Sequence, residues 1–167
     1  MTDIDFMREA ISEAQKAAEI GEVPIGAVVV RNGEIIARAH NERETKKDAT
    51  RHAEIIAIER ACAALHGWRL IGCDLYVTLE PCPMCAGAIV NSRIVKVIYG
   101  ASDLRAGAFG SVLDLNTYPL NHKPEIIKGV LAEECLAPIQ AFFRKKRIRK
   151  RLYHKTLRIF YFTQKNS

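Results

Sequence analysis

Three metal-binding side chains and one carboxylate fall at spacings that suit hydrolytic chemistry. Cys82 and Cys85 stand two residues apart in Glu80-Pro81-Cys82-Pro83-Met84-Cys85, and Pro83 falls where a helix takes its first turn. Thiols at a helix start feel its positive end and lean towards the thiolate, the form that binds metal. Thirty residues before Cys82, the run Arg51-His52-Ala53-Glu54 offers His52 as a third ligand from the start of another helix. Three N/S ligands leave a fourth tetrahedral position open, which marks a catalytic zinc rather than a closed structural one. Glu54 is near enough to reach a water there without binding the metal. Zinc lowers the pKa of a bound water from about 15.7 to about 7, giving a nucleophile suited to an sp² carbon that bears a leaving amine. Such a reaction also needs a proton shuttle. Glu54 fits that role, and a positioned acid/base contributes about 10²–10⁴-fold.

Each part has a plainer reading on its own. A lone Cys-x-x-Cys is often half of a structural zinc site or a redox pair. His52 could simply end a helix, and Glu54 could be a solvated charge. Together, with both motifs opening helices, they point to a catalytic metal. Cys62 falls on the core side of a helix, Cys73 at a strand entrance and Cys135 in a packing position; Cys73 as a fourth ligand would close the site.

The surrounding pattern says what must hold these groups. At 167 residues, 49% apolar and 26% charged, the chain reads as one domain able to bury a core. Five cysteines without a signal-peptide pattern argue for thiols as ligands, not a disulfide framework. No apolar run approaches the roughly 20 residues that span a bilayer, so the expected address is cytoplasmic, with no membrane association. The net charge of +6 is local: ten Lys/Arg and no acid lie in residues 144–167, so residues 1–143 carry a net −4. A basic block of this kind attracts phosphate backbones or is a solvated end.

Helical periodicity covers residues 4–20, closed by Gly21. A buried strand is expected over Val23–Val30, then an Asn32-Gly33 hairpin turn and a returning strand from Glu34 to His40. A polar loop from Asn41 to Thr50 leads to a helix over about 52–66. Strand 74–79 enters the cysteine run, helix 83–92 follows, and strand 94–99 comes next, a crossover that implies parallel pairing. Residues 101–124 read as irregular, followed by a strand near 125–130 and a helix over about 131–150. The expected fold class is α/β: a three-layer α/β/α sandwich around a central five-stranded mixed sheet. The division is 1–150 as the catalytic domain and 151–167 as a basic, aromatic tail, read as a helix extension with a frayed end.

His52-Ala53-Glu54 with Pro81-Cys82-Pro83-Met84-Cys85 resembles the established signature of zinc nucleobase deaminases. Further out stand Gly21-Glu22-Val23-Pro24-Ile25-Gly26-Ala27-Val28, His40-Asn41, Trp68-Arg69-Leu70, Leu79-Glu80-Pro81-Cys82, Asn121-His122 and Phe142-Phe143-Arg144. Over roughly residues 3–147 the chain resembles the bacterial tRNA-specific adenosine deaminases of the cytidine deaminase-like superfamily. The resemblance implies hydrolytic conversion of adenosine to inosine at the wobble position of a tRNA anticodon. It also implies a homodimer with one Zn²⁺ per subunit and no organic cofactor. Carried over, His52, Cys82 and Cys85 bind zinc and Glu54 shuttles protons. Asn41 would hydrogen-bond a flipped-out base, and Val23 to Ala27 would line its pocket. Asp103 would accept from a ribose 2′-OH, unless it is a turn or cap residue. Asn121, His122, Phe143 and Arg144 would belong to the RNA-binding surface, with tRNA as partner.

The core signature is shared with guanine, cytosine and riboflavin-pathway deaminases, so it fixes reaction type better than substrate. The basic tail and the Phe142-Phe143-Arg144 ending argue against a free-base enzyme. A catalytically silent zinc-binding RNA adaptor would most simply have lost Glu54. One departure stands in Leu104-Arg105-Ala106-Gly107-Ala108-Phe109-Gly110-Ser111, where Phe109 replaces a small residue of the family's turn. The aromatic tail after Lys150 matches no family element.

Overall fold

The computed structural model describes the backbone of residues 1–164 and the side chains of residues 1–151. Helix α1 (Asp3–Glu19) starts at Thr2, whose hydroxyl accepts from the Asp5 N–H while the Asp5 carboxylate accepts from the Thr2 N–H. That reciprocal pair satisfies two of the orphan donors of a helix start. Strands β1 (Gly26–Arg31) and β2 (Glu34–His40) form the expected hairpin, with Asn32 and Gly33 both at positive φ (51° and 79°). Its register slips by one residue between Val29 and Val30. A one-turn helix, α2 (Arg43–Lys46), and helix α3 (Ala53–Ala64) follow. Strand β3 (Cys73–Leu79), helix α4 (Pro83–Ser92) and strand β4 (Lys96–Ala101) make the crossover. Strand β5 (Glu125–Lys128) and helix α5 (Ala132–Gln164) complete the order.

The sheet runs β2-β1-β3-β4-β5. Strand β1 pairs antiparallel with β2 and β3, while β3–β4 and β4–β5 are parallel, so the sheet is mixed. Alternation along the strands sends Ala27, Val29, Leu75, Val77 and Val97 to one face, where Ile56, Ala57 and Ala61 of α3 and Ala86 and Ile89 of α4 cover them. Val28, Val30, Tyr76 and Ile98 point the other way, onto Phe6, Met7 and Ala10 of α1 and Cys135 of α5. The architecture is therefore the expected α/β/α sandwich. Each fully buried aliphatic of this kind, such as Ile56, Leu75 or Ile98, contributes about 1.5–3 kcal/mol.

Several boundaries differ from expectation. Strand β1 starts at Gly26, not Val23, because Pro24 has no N–H for a ladder and the Ile25 N–H turns back to the Val23 carbonyl at 2.8 Å. Strand β4 starts at Lys96 and ends at Ala101, two residues later than its apolar run suggests, in register with β3 from Asp74 to Leu79. The loop after β2 contains α2, too short to show a periodicity. Helix α5 crosses the expected 150/151 boundary without a break.

Candidate active site

Both α3 and α4 lie on one face of the sheet, and their first turns meet. His52 is the N-cap of α3 and Cys82 the N-cap of α4, with Pro83 in the first turn, and neither side chain makes a capping hydrogen bond. Both are turned instead to a shared point. The His52 Nδ1 lies 3.7 Å from the Cys82 Sγ and 3.6 Å from the Cys85 Sγ, and the three donor atoms all lie within 4.8 Å of one another. A tetrahedral ion with bonds of about 2.3 Å to sulfur and about 2.0 Å to nitrogen separates such donors by about 3.5 Å. The residues present fit a metal ion. Cys73 opens β3, whereas the site lies beyond that strand's far end, about 20 Å along the chain at strand rise. It packs in the core with 0% exposure, so the fourth-ligand alternative falls.

The electrostatics agree with that donor set. A hydrogen bond from the Cys85 thiol, helped by His52, holds Cys82 well below the ordinary thiol range despite burial. The same contact, with burial and the neighbouring Glu54 and Cys82 charges, pushes Cys85 up. His52 is raised, chiefly by its bond to Cys82. Glu54, in the first turn of α3, is 4% exposed. Burial pushes its carboxyl up to about 7; the Cys82 thiolate adds to this, while its own N–H, His52 and Cys85 oppose it. A carboxyl poised near neutrality beside a candidate metal site can both take up and return a proton.

Asn41 follows β2 directly and is 5% exposed. Its N–H donates to the Ile25 carbonyl at 3.1 Å, which sets the Val23–Ala27 segment alongside it. Its side-chain Oδ1 is buried without a hydrogen-bond partner among the described residues, an acceptor ready for a donor from outside the chain. Val23 is half-buried and Ala27 lies in the core, so Ala27 supports the segment from beneath.

Asp103 sits in the loop after β4. Its Oδ1 accepts from the Arg105 N–H at 2.9 Å and the Ala106 N–H at 3.3 Å, so it does hold a turn. Asn121 accepts from Arg93 at 3.2 Å, and the His122 Nε2 lies 2.6 Å from the Ile94 carbonyl; both residues fasten the loop before β5 to the end of α4. Phe143 (39% exposed) and Arg144 are exposed on α5, which packs on the sheet face opposite α3 and α4. Phe143 stacks edge-on against the half-buried Phe142 at 5.4 Å. Phe109 turns inward at 3% exposure and joins the core beneath α3 and α4.

Two features escaped sequence reading. Glu80 is 2% exposed and accepts hydrogen bonds from the loop that carries Asp103. Glu13 of α1, 4% exposed, holds His40 at 2.9 Å and Lys16 at 2.5 Å, which anchors the end of β2 one residue before Asn41. In sequence, Glu13 falls beside the apolar stripe of α1, and an acid there gives no sign that it is buried.

Comparison with known proteins is consistent with this arrangement. Residues 1–147 match the family described as MafB19-like deaminase. A protein of Bacillus subtilis (strain 168) named tRNA-specific adenosine deaminase is 56% identical over 153 residues, covering 91% of this chain and 95% of its own. A protein of the same name from Streptococcus pyogenes serotype M1 is 47% identical over 88% of this chain and 86% of its own. A solved structure from studies of A-to-I editing by tRNA:A34 deaminases at the wobble position of transfer RNA is 46% identical. It covers 80% of this chain and 98% of its own, with a TM-score of 0.78.

Proposed function

The chain belongs to the MafB19-like deaminases and, within them, to the tRNA-specific adenosine deaminases, and from that premise we infer its reaction and the residues that perform it. It converts adenosine to inosine at the wobble position of a tRNA anticodon by hydrolysis: water adds at C6 and the 6-amino group leaves as ammonia. The observation that carries this reading is the meeting of His52, Cys82 and Cys85 beside the buried Glu54, in a chain 46% identical to a tRNA:A34 deaminase.

His52, Cys82 and Cys85 would hold one zinc ion per subunit. That ion would supply the Lewis acidity that makes water a competent nucleophile near neutral pH. Glu54 takes the first water proton as the oxygen bonds to C6 and passes it to N1; it then takes the second from the resulting C6 hydroxyl and delivers it to the amino nitrogen, whose bond to C6 breaks as the carbonyl forms. Its burial supports this, since a carboxyl raised to about 7 exchanges a proton easily at the pH of the reaction. Asn41 orients the base, and its Oδ1, without a partner among the described residues, supports the assignment. Asp103 accepts from the ribose, while Asn121, His122, Phe143 and Arg144 belong to the RNA-facing surface. The reacting adenosine must be out of its stack, as an anticodon loop allows.

The basic block of residues 144–167 begins on the described part of α5, where it would add phosphate contacts; the side chains of the tail beyond Arg151 lie outside the described residues. The family match ends at residue 147, which supports setting the tail apart from the catalytic domain. The working unit is a homodimer in the cytoplasm. Among the described residues, no helix is long and apolar enough to cross a membrane. The residue assignment is tested by Glu54→Ala: zinc content should stay near one per chain while turnover is abolished. Retained turnover would remove Glu54 from the mechanism.

A further inference from the structure

Glu80 links β3 to the Cys82 turn, and its carboxylate is buried with no Lys, Arg or His paired to it among the described residues. A buried charge of this kind needs hydrogen bonds to persist. It accepts four, all from one loop. Oε1 accepts from the Phe109 N–H at 3.0 Å and the Ser111 N–H at 3.1 Å. Oε2 accepts from the Asp103 N–H at 3.1 Å and from the Ser111 hydroxyl. Its own N–H donates to the Ala101 carbonyl at 2.8 Å, and the next residue, Pro81, accepts from the Ala108 N–H at 2.9 Å.

One short segment therefore fixes two things at once. Cys82, a candidate metal ligand, follows Glu80 by two residues, and both ends of the 103–111 loop hang on the Glu80 carboxylate. The loop is shaped to admit that group: a Cβ at Gly107 would lie 2.4 Å from the Glu80 Cδ and Oε2. A neutral amide could not keep all four bonds, because an NH₂ at either oxygen position would face an N–H.

We propose that Glu80 is a positioning residue for substrate RNA, setting the 103–111 loop relative to the candidate metal ligands so that Asp103 meets a ribose 2′-OH of that RNA. Among the described residues only the Oδ1 of Asp103 is engaged in the turn, which leaves Oδ2 to accept from a 2′-OH. The proposal rests on the reading of Asp103 as a ribose contact.

The test is Glu80→Gln in the zinc-loaded protein, with Asp103→Ala and the double variant, assayed for inosine formation on an anticodon stem-loop. The glutamine should place its oxygen at the Oε1 position, keeping Phe109 and Ser111, and its NH₂ at the Oε2 position, where the Ser111 hydroxyl can turn to accept. Only the Asp103 N–H is then left unpaired. Zinc content should be unchanged, KM for the stem-loop should rise about tenfold, as for loss of one positioned hydrogen bond, and kcat should change far less. The double variant should bind no worse than Asp103→Ala, because both lesions remove the same contact.

A fall in kcat or zinc content with KM unchanged would make Glu80 purely structural and overturn the proposal. If Asp103→Ala raises KM and Glu80→Gln does not, the proposal alone falls. If Asp103→Ala leaves KM unchanged, the ribose reading falls and takes the proposal with it. Should Glu80→Gln give no folded protein, Ser111→Ala removes only the hydroxyl; it should raise KM about threefold, and an unchanged KM would overturn the proposal equally.

Discussion

Replacing Gly107 by alanine adds a single methyl group, and its consequence can be worked out from the contacts it would make. The new Cβ would lie 2.4 Å from the Glu80 Cδ and Oε2 and 2.6 Å from the Asp103 carbonyl oxygen. An ordinary contact is about 3.5 Å, so the carboxylate or the loop must retreat by about 1 Å. Hydrogen bonds now at 3.0–3.1 Å would then open to about 4 Å, beyond useful range. Each buried group left unpaired costs about 1–3 kcal/mol, so losing one or two gives about 3 kcal/mol. For a chain of this size that lowers Tm by about 6–12 °C. Gly107 does not have a positive φ of the kind that penalises alanine, so the loss would come from the contact and not from backbone strain. Gly87, inside α4 with nothing within 4 Å of its absent Cβ, supplies the control. Alanine there should stabilise by about 0.5–1 kcal/mol. Thermal unfolding of the zinc-loaded proteins, followed by circular dichroism, makes the comparison. A Gly107→Ala protein melting within about 2 °C of wild type would refute the packing of Glu80 into the loop.

Two further predictions follow from other parts of the molecule. Cys85→Ser should leave the purified protein nearly free of zinc and lower its Tm, because metal binding and folding are linked; a protein that still carries one zinc would remove Cys85 from the ligand set. Burial raises Glu13, but its bonds to Lys16 and His40 outweigh burial and hold it below its ordinary 4.5. Its contribution is full above that value and is lost as the pH falls through the lower folded value. Glu13→Gln should therefore be less stable than wild type at pH 7, with the gap closing in acid. Denaturation curves that keep the same separation from pH 7 down to about 3 would show the pair to be inert.

Much of the architecture is legible because its signals are local. Asn32-Gly33 demands the positive φ pair that the hairpin adopts, and so Glu34–His40 is found where expected. Pro83 starts α4, and its apolar face runs out at Ser92. The candidate metal-binding group is legible for the same reason, since spacing and helix starts bring its donors together. Features set by distant partners are not. Nothing local distinguishes Glu80 from any acid before a proline; its donors lie 23 to 31 residues away. Phe109 looked like an intrusion into a substrate loop, yet its side chain belongs to the core, because the Glu80 bonds roll the loop inward at that point. Strand β4 slides past its apolar run because pairing with β3, not its own composition, sets its start.

The most direct test of the central claim is inosine formation on an isolated anticodon stem-loop carrying a wobble adenosine, run beside free adenosine, cytidine and guanine with the same zinc-loaded protein. Conversion of the stem-loop alone is the expected result, together with its loss in Glu54→Ala. Conversion of a free base or nucleoside with the stem-loop untouched would contradict that, leaving a deaminase of free bases or nucleosides.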